Sequence, residues 1–156
     1  MHRVIIGQGQ FAVSSPAAVT PGAIECMLDA LSRRGILLTS YGNVGSSSES
    51  LVSPEEYWQL RTKRACLDAE GIRYVLERVA RMVTENGNTW NQEWSSRALR
   101  AIFMQGEPDA DAAIVGHGEF IAAMLFHGFA AMFTPDTETD CLFKVSPAKK
   151  FLQSLR

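Results

Sequence analysis

A histidine flanked by two glycines is the residue in this chain that is best placed to do chemistry. The stretch from Ala113 to Leu125 predicts a strand, a tight turn that contains Gly116, His117 and Gly118, and then a helix. Glycine permits close backbone approach, and the first turn of a helix offers unpaired N–H groups and the positive end of its dipole. His117 is therefore placed to meet an anion such as phosphate. A turn that carries a solvent-exposed histidine is the simpler interpretation, and the sequence leaves it open.

Two other loops carry polar residues that could share a site with this histidine. The β-branched run from Arg3 to Ile6 stops at the glycine-rich loop 7–10, and the run from Ile36 to Thr39 stops at the loop 40–43. A helix between the two runs indicates a βαβ unit, whose strands are parallel. In such folds the ligand crevice lies beyond the carboxyl ends of the strands. We therefore expect one crevice in which His117 is the catalytic candidate and the ligand-binding residues are Gln8, Gly9, Ser40, Asn43 and Gly118.

The elements that must position these residues are read from apolar periodicity and capping signals. Thr20 and Pro21 predict the start of one helix, and Ser53-Pro54-Glu55-Glu56 predicts another that runs to about Glu70. Further helices are expected over about 72–86, 90–104 and 117–133, with strands at 112–115 and 141–145 and a closing helix after Ser146-Pro147. The predicted fold class is α/β, a three-layer αβα sandwich with a small, mainly parallel sheet. Residues 1–156 are expected to form a single domain, in which the helical segment at about 53–105 caps the crevice.

The composition is that of an ordinary globular domain and argues against several functional classes. The chain has 156 residues, of which 46% are hydrophobic and 21% charged, and its net charge is −2. That balance offers no basic surface for nucleic acid or for a membrane, and no apolar run approaches the roughly 20 residues of a membrane span. Cys26, Cys66 and Cys141 lack metal-ligand spacing, which favours reduced thiols in a cytoplasmic protein. We expect no metal and no cofactor.

Residues 115–121 read Val-Gly-His-Gly-Glu-Phe-Ile. This motif resembles the second histidine motif of the histidine phosphatase superfamily, in its phosphoglycerate mutase-like branch, where a strand ends in Ser/Gly-His-Gly and continues into an apolar helix. Gly9 and Gln10 match the end of that family's first signature, Arg-His-Gly followed by Gln or Glu. The segment 20–22 is similar to the family's Leu-Thr-x-x-Gly helix start with one residue missing. The resemblance implies a phosphoglycerate mutase-like fold over nearly the whole chain.

The same resemblance implies that the family's usual chemistry is lost here. In the family, the first histidine attacks phosphorus, while two arginines and the second histidine bind the phosphate oxygens. In this chain Gln8 stands at the position of the nucleophile and Gly7 at that of the first arginine, and the segment 40–42 lacks the pattern that supplies the second arginine. A neutral amide forms no useful phosphoryl intermediate, and the loss of both arginines removes most of the transition-state stabilisation. Only His117 carries over.

The function expected from the sequence is that of a degenerate histidine phosphatase-like protein without phosphohistidine catalysis. It binds a small polar or anionic ligand, or a protein partner, at the crevice around Gln8 and His117. The alternative is a phosphatase or other hydrolase acting on a small phosphorylated substrate, or a repurposed acid–base enzyme, that uses His117. A homodimer is a further option for the partner, and neither nucleic acid nor a membrane is expected.

Several other residues receive a structural interpretation. Glu119 is interpreted as compensation for the helix dipole, and Cys26 as an inert thiol on the buried face of the first helix. His127 is interpreted as a packed or surface residue. Three tryptophans in the helical segment are expected to cap the crevice, to form an oligomer contact or to pack within the domain: Trp58, Trp90 and Trp94.

Overall fold

The structure is a computed structural model, and it describes residues 3–43, 54–59, 66–134 and 140–155. Over these residues the helices are α1 (Pro21–Ser32), α2 (Pro54–Gln59), α3 (Ala69–Arg78), α4 (Ser96–Gly106), α5 (His117–His127) and α6 (Lys149–Ser154). The strands are β1 (Val4–Ile6), β2 (Leu38–Thr39), β3 (Gly42–Asn43), β4 (Val83–Glu85), β5 (Ala131–Phe133), β6 (Leu142–Phe143) and β7 (Val145–Pro147). None of the helices in these ranges is long and apolar enough to cross a membrane.

The strand pairings over the described ranges are antiparallel, so the predicted mainly parallel sheet is wrong. One sheet has the order β1-β5-β6, β2 and β3 form a hairpin, and β4 pairs with β7. The runs that were expected to form a βαβ unit do not pair with each other, because β1 lies beside β5 instead. What remains of the predicted class is a mixture of helices and small sheets.

Two local features explain why the parallel arrangement fails. Residues 112–115 form turns rather than a third strand, because Asp111 accepts hydrogen bonds from the backbone N–H groups of Ala113 and Val115. The helix expected over 117–133 ends at Gly128, which adopts a left-handed conformation with φ 103°. The last residues of that stretch are thereby free to form β5, the strand that takes β1 as its partner.

Helix α5 lies at the centre of the core. Every residue from Gly118 to Phe126 is buried, and all of them except Glu119 are glycine or apolar, a composition typical of a buried helix. Helices α3 and α4 pack against it, as does the β2–β3 hairpin. Within the segment 53–105, which was expected to cap the crevice, α3 and α4 contribute to the core and β4 lies between them. The serine-rich loop 46–48 and the side chains of Tyr57 and Trp58 lie outside the described residues.

Two glycines allow the elements around α5 to approach closely. A Cβ atom on Gly71 of α3 would come within 1.8 Å of the Ile114 carbonyl oxygen. A Cβ atom on Gly118 would come within 1.7 Å of the Thr39 carbonyl oxygen in the hairpin. At both positions only glycine fits without moving backbone. Gly118 therefore has a packing role, whichever ligand the domain binds.

Candidate functional site

His117 is the first residue of α5 and lies in a largely buried polar cluster. Its Nε2 atom is 2.7 Å from the hydroxyl of Ser96, the first residue of α4, and 3.4 Å from Oδ1 of Asp140. The Ser95 hydroxyl donates a hydrogen bond to Oδ2 of the same carboxylate at 2.9 Å. We call Ser95, Ser96, His117 and Asp140 the His117 cluster. It joins the N-termini of two helices to the segment that precedes β6.

The hydrogen bonds of the cluster indicate which nitrogen of the His117 ring carries its proton. The Ser96 oxygen accepts a hydrogen bond from the backbone N–H of Cys141 at 3.0 Å, so its own proton is available for Nε2 of His117. A hydrogen bond with the Tyr41 backbone raises the pKa of His117, so the ring is the donor in that contact, and because Nε2 contacts Ser96 we place the donor on the other ring nitrogen. We therefore assign a neutral imidazole with its proton on Nδ1.

Burial lowers the pKa of His117, and this effect exceeds the opposing one of the Asp140 carboxylate. Arg97 and Arg100 also lower the pKa, since a positive charge nearby disfavours a second one. Arg97 lies 3.3 Å from Oδ1 of Asp140, and Arg100 donates two hydrogen bonds to the Val115 carbonyl. The electrostatic surroundings therefore favour the neutral ring that the hydrogen bonds require.

A serine, a histidine and an aspartate in contact suggest a catalytic triad, but the geometry differs from one. In a triad the serine and the carboxylate lie on opposite nitrogens of the imidazole. Here both lie on Nε2, and Ser96 has 0% of its surface exposed. The side chain of His117 is only 11% exposed. The arrangement is that of a structural network that ties three segments together.

The N-terminus of α5, where we expected an anion, is occupied by groups of the protein itself. The Gly118 N–H donates to the Ser40 carbonyl at 3.1 Å. Glu119, which is 2% exposed, accepts hydrogen bonds on Oε2 from the Ser40 hydroxyl and from the Asp68 N–H, both at 2.8 Å. Burial raises the pKa of Glu119. The carboxylate thus links α5 to two neighbouring segments, a role that dipole compensation alone does not describe.

The other predicted residues of this region also hold the hairpin in place. Asn43 is buried, and its Oδ1 atom accepts a hydrogen bond from the Leu37 N–H at 2.9 Å. The Ser40 hydroxyl lies 3.0 Å from the Cys66 carbonyl in addition to its contact with Glu119. The structure therefore brings His117, Gly118 and Ser40 together, as expected, but in a closed and internally bonded arrangement.

Gln8 and Gly9 lie at the other end of α5, so the expected juxtaposition of Gln8 with His117 is wrong. The Gly9 N–H donates to the carbonyl of Gly128, which directly follows the last residue of α5. Since His117 is the first residue of this helix of 11 residues, the two sites are separated by its length, roughly 16 Å. The loop was misplaced because β1 runs antiparallel to β5 rather than parallel to β2.

A cleft of about 230 Å³ opens at this end of α5. Four separate segments line it: the loop after β1, the end of β4 with the turn that follows, the loop between α5 and β5, and the connection from β6 to β7. We call it the Lys144 cleft, and its lining residues are Gln8, Glu85, Gly87, Asn88, Phe129, Ala130, Lys144 and Val145.

The backbone around the Lys144 cleft is well fixed. Glu85 pairs with Val145 across the β4–β7 ladder, and the Asn86 N–H donates to the Lys144 carbonyl at 2.8 Å. The Phe129 ring stacks on that of His127, with centroids 4.4 Å apart. The Lys144 ammonium lies 4.7 Å from the centroid of the Trp90 ring, a cation–π contact that restricts its position.

Sequence reasoning found one residue of this cleft, Gln8, and missed its charged residues. Glu85 was assigned to the end of a helix, and Lys144 to the inside of a strand. No motif joins them, since their proximity depends on the pairing of two three-residue strands. The same holds for Ser96 and Asp140, which meet His117 only in the folded chain.

The remaining candidates fall outside both sites. Cys26 is exposed, so its assignment to the buried face of the first helix is wrong. Trp94 packs against the core. Among the described residues, no group of three or more histidine, cysteine, aspartate or glutamate side chains could hold a metal ion.

Comparison with family models, with curated proteins and with solved structures finds no significant match to this chain. The resemblance to histidine phosphatases stays a hypothesis based on a short motif.

Proposed function

We propose that this chain is a binding domain for a small polar molecule, which it holds in the Lys144 cleft. The observation that carries the proposal is the lining of that cleft by two charged side chains, two amides and an aromatic ring on four converging segments. Small-ligand sites combine a concave shape with a few well-placed polar groups in this way. The expected crevice around Gln8 is retained in the proposal, while His117 is not part of it.

The size of the cleft favours a small metabolite. A volume of about 230 Å³ is below the roughly 300–1,000 Å³ of sites for drug-sized ligands. It corresponds to about eight water molecules, at roughly 30 Å³ each. A ligand of at least about eight non-hydrogen atoms fits that volume, because covalently bonded atoms lie closer together than separate water molecules.

The test is a binding screen read out at individual backbone amides. We expect one or more of inorganic phosphate, citrate, glucose and glutamine, each at about 10 mM, to shift the NMR signals of Gly87, Asn88 and Ala130. That concentration exceeds the roughly millimolar Kd of a weak specific site. Lys144→Met should weaken the shifts, whereas Lys150→Met, which changes an exposed lysine of α6, should not. A screen in which no probe moves these signals would overturn the proposal.

Hydrolysis centred on His117 is the second candidate, and the 2.7 Å contact between His117 and Ser96 is the observation in its favour. The Ser96 hydroxyl is a poor nucleophile, because it is buried and its oxygen already accepts a hydrogen bond from the Cys141 N–H. We therefore expect neither p-nitrophenyl phosphate nor p-nitrophenyl acetate to be turned over. Turnover that is lost in both His117→Ala and Ser96→Ala would favour the enzyme over the binding domain.

A further inference from the structure

We infer that the ligand of the Lys144 cleft is a free α-amino acid, whose ammonium is bound by Glu85 and whose carboxylate is bound by Lys144. This inference rests on the proposed function and names the chemistry of its ligand.

The two charged residues of the cleft, Glu85 and Lys144, line the same cavity but form no salt bridge with each other. Within the part of the chain that the structure describes, neither the Glu85 carboxylate nor the Lys144 ammonium reaches a salt-bridge partner, although both line the cleft. The Lys144 ammonium instead contacts the face of the Trp90 ring. A ligand with a positive and a negative group could satisfy both residues at once, whereas a simple anion would meet the repulsion of Glu85.

Backbone pairing fixes the points from which the two charged side chains extend. Glu85 lies opposite Val145 in the β4–β7 ladder, and the hydrogen bond from Asn86 to the Lys144 carbonyl closes the end of that ladder. Both side chains therefore start from one rigid unit. Binding groups on a preorganised unit lose less conformational entropy when a ligand binds, which favours recognition of a short, defined separation of charge.

The remaining lining can hold a polar side chain. The amides of Gln8 and Asn88 each supply a donor and an acceptor, and the Phe129 ring supplies an apolar wall that is supported by His127. The volume holds at least about eight non-hydrogen atoms, which is within the size range of single amino acids. Glutamine, whose side-chain amide can pair with those of Gln8 and Asn88, is the probe that we would use first.

The experiment compares L-glutamine with two derivatives that each lack one charge. N-acetyl-L-glutamine has no ammonium, and the α-amide of L-glutamine has no carboxylate. We expect each to bind about tenfold to a hundredfold more weakly than L-glutamine in calorimetry or NMR titration, the range that corresponds to the loss of one hydrogen bond to a charged group. Glu85→Gln should selectively abolish the preference for glutamine over the acetyl derivative, and Lys144→Met the preference over the amide.

Both variants are close in shape to the native residues, and circular dichroism checks that they fold. Lys150→Met is the matched control and should keep both preferences. Equal affinity for glutamine and its two derivatives would overturn the amino acid assignment and leave the cleft as a binding site. The assignment would also be wrong if no L-amino acid bound while phosphate, citrate or glucose shifted the cleft signals. If no probe binds at all, the proposed function fails together with this inference.

Discussion

The chemistry of His117 depends on residues that no sequence pattern connects with it. The Gly-His-Gly spacing correctly placed this histidine at the start of a helix, because helix starts are encoded locally. Its partners Ser96 and Asp140 come from a different helix and from the segment that precedes β6. Without them the ring looked available for an anion, whereas in the folded chain it is a buried hydrogen-bond acceptor.

Replacing His117 by alanine should therefore affect stability first. The variant leaves the Ser96 hydroxyl without its acceptor and opens a small cavity beside Asp140. We expect the free energy of unfolding to fall by about 2–3 kcal/mol, measured by urea denaturation, while ligand binding in the Lys144 cleft is retained. Loss of cleft binding in a folded His117→Ala variant would contradict the separation of the two sites.

The three cysteines provide a simple check of the burial around the His117 cluster. Cys26 and Cys66 are exposed, whereas Cys141 is buried beside the His117 cluster, and burial raises the pKa of its thiol. Since the thiolate is the reactive form, iodoacetamide should modify the first two in the native protein and Cys141 only after denaturation. Mass spectrometry of the alkylated protein measures this. Rapid modification of native Cys141 would mean that the segment before β6 opens readily.

Among the helices and strands, local sequence signals could predict where a helix starts, but they could not predict which strands pair. The helix that begins at Pro21 with Thr20 as its cap forms as predicted, since the Thr20 hydroxyl accepts from the Ala23 N–H at 3.1 Å. The pairing of Val4 with Phe133 could not be read in this way. Strands of two or three residues carry too little periodicity to fix a partner, so the predicted parallel sheet and the crevice derived from it were wrong.

The close contact between α5 and the β2–β3 hairpin gives a sharp test of the packing. Gly118→Ala places a Cβ atom against the Thr39 carbonyl oxygen. The backbone of the helix or of the hairpin must move to relieve this clash. We expect a loss of more than about 3 kcal/mol in the free energy of unfolding, or failure to fold.

Gly22→Ala is the matched control for that substitution. Gly22 also lies in the first turn of a helix, and the nearest atom to its Cβ position is the Thr20 hydroxyl at 3.8 Å. This variant should change stability by less than about 1 kcal/mol, in the direction of a gain, because alanine favours the helix. Equal effects of the two alanines would contradict the described contact between helix and hairpin.

At the scale of the whole molecule, α5 separates two polar centres of different character. At its start, the His117 cluster is largely buried and Glu119 is fully so, and both form hydrogen bonds within the protein. Beyond its end, the Lys144 cleft is open, and two charged residues, Glu85 and Lys144, line it. The first arrangement is suited to holding segments together, and the second to exchanging a ligand with solvent. A buried apolar helix between them keeps the two centres apart while fixing the loops that line each one.

The buried centre should make the stability of the whole domain depend on pH through two opposing contributions. The pKa of His117 is below its ordinary value of 6.5, so the unfolded chain binds a proton first as the pH falls below about 7. Stability from His117 is therefore complete above that range and is lost as the pH falls towards the folded pKa. The pKa of Glu119 is above its ordinary value of 4.5. In the unfolded chain this carboxyl therefore loses its proton at a lower pH than in the folded chain. Its contribution to the free energy of unfolding falls as the pH rises above 4.5.

Removing either group should accordingly change the slope of unfolding free energy against pH in opposite directions. Between pH 5 and 7, His117→Gln should make the slope less positive, because the group whose protonation favours the unfolded chain is gone. Glu119→Gln should make the slope more positive, because the opposing carboxyl no longer titrates. Urea denaturation at several pH values measures both slopes, and His127→Gln, at the exposed end of α5, controls for the loss of an imidazole elsewhere. Slopes that shift in the same direction in both variants would contradict a neutral buried His117 beside a strongly desolvated Glu119.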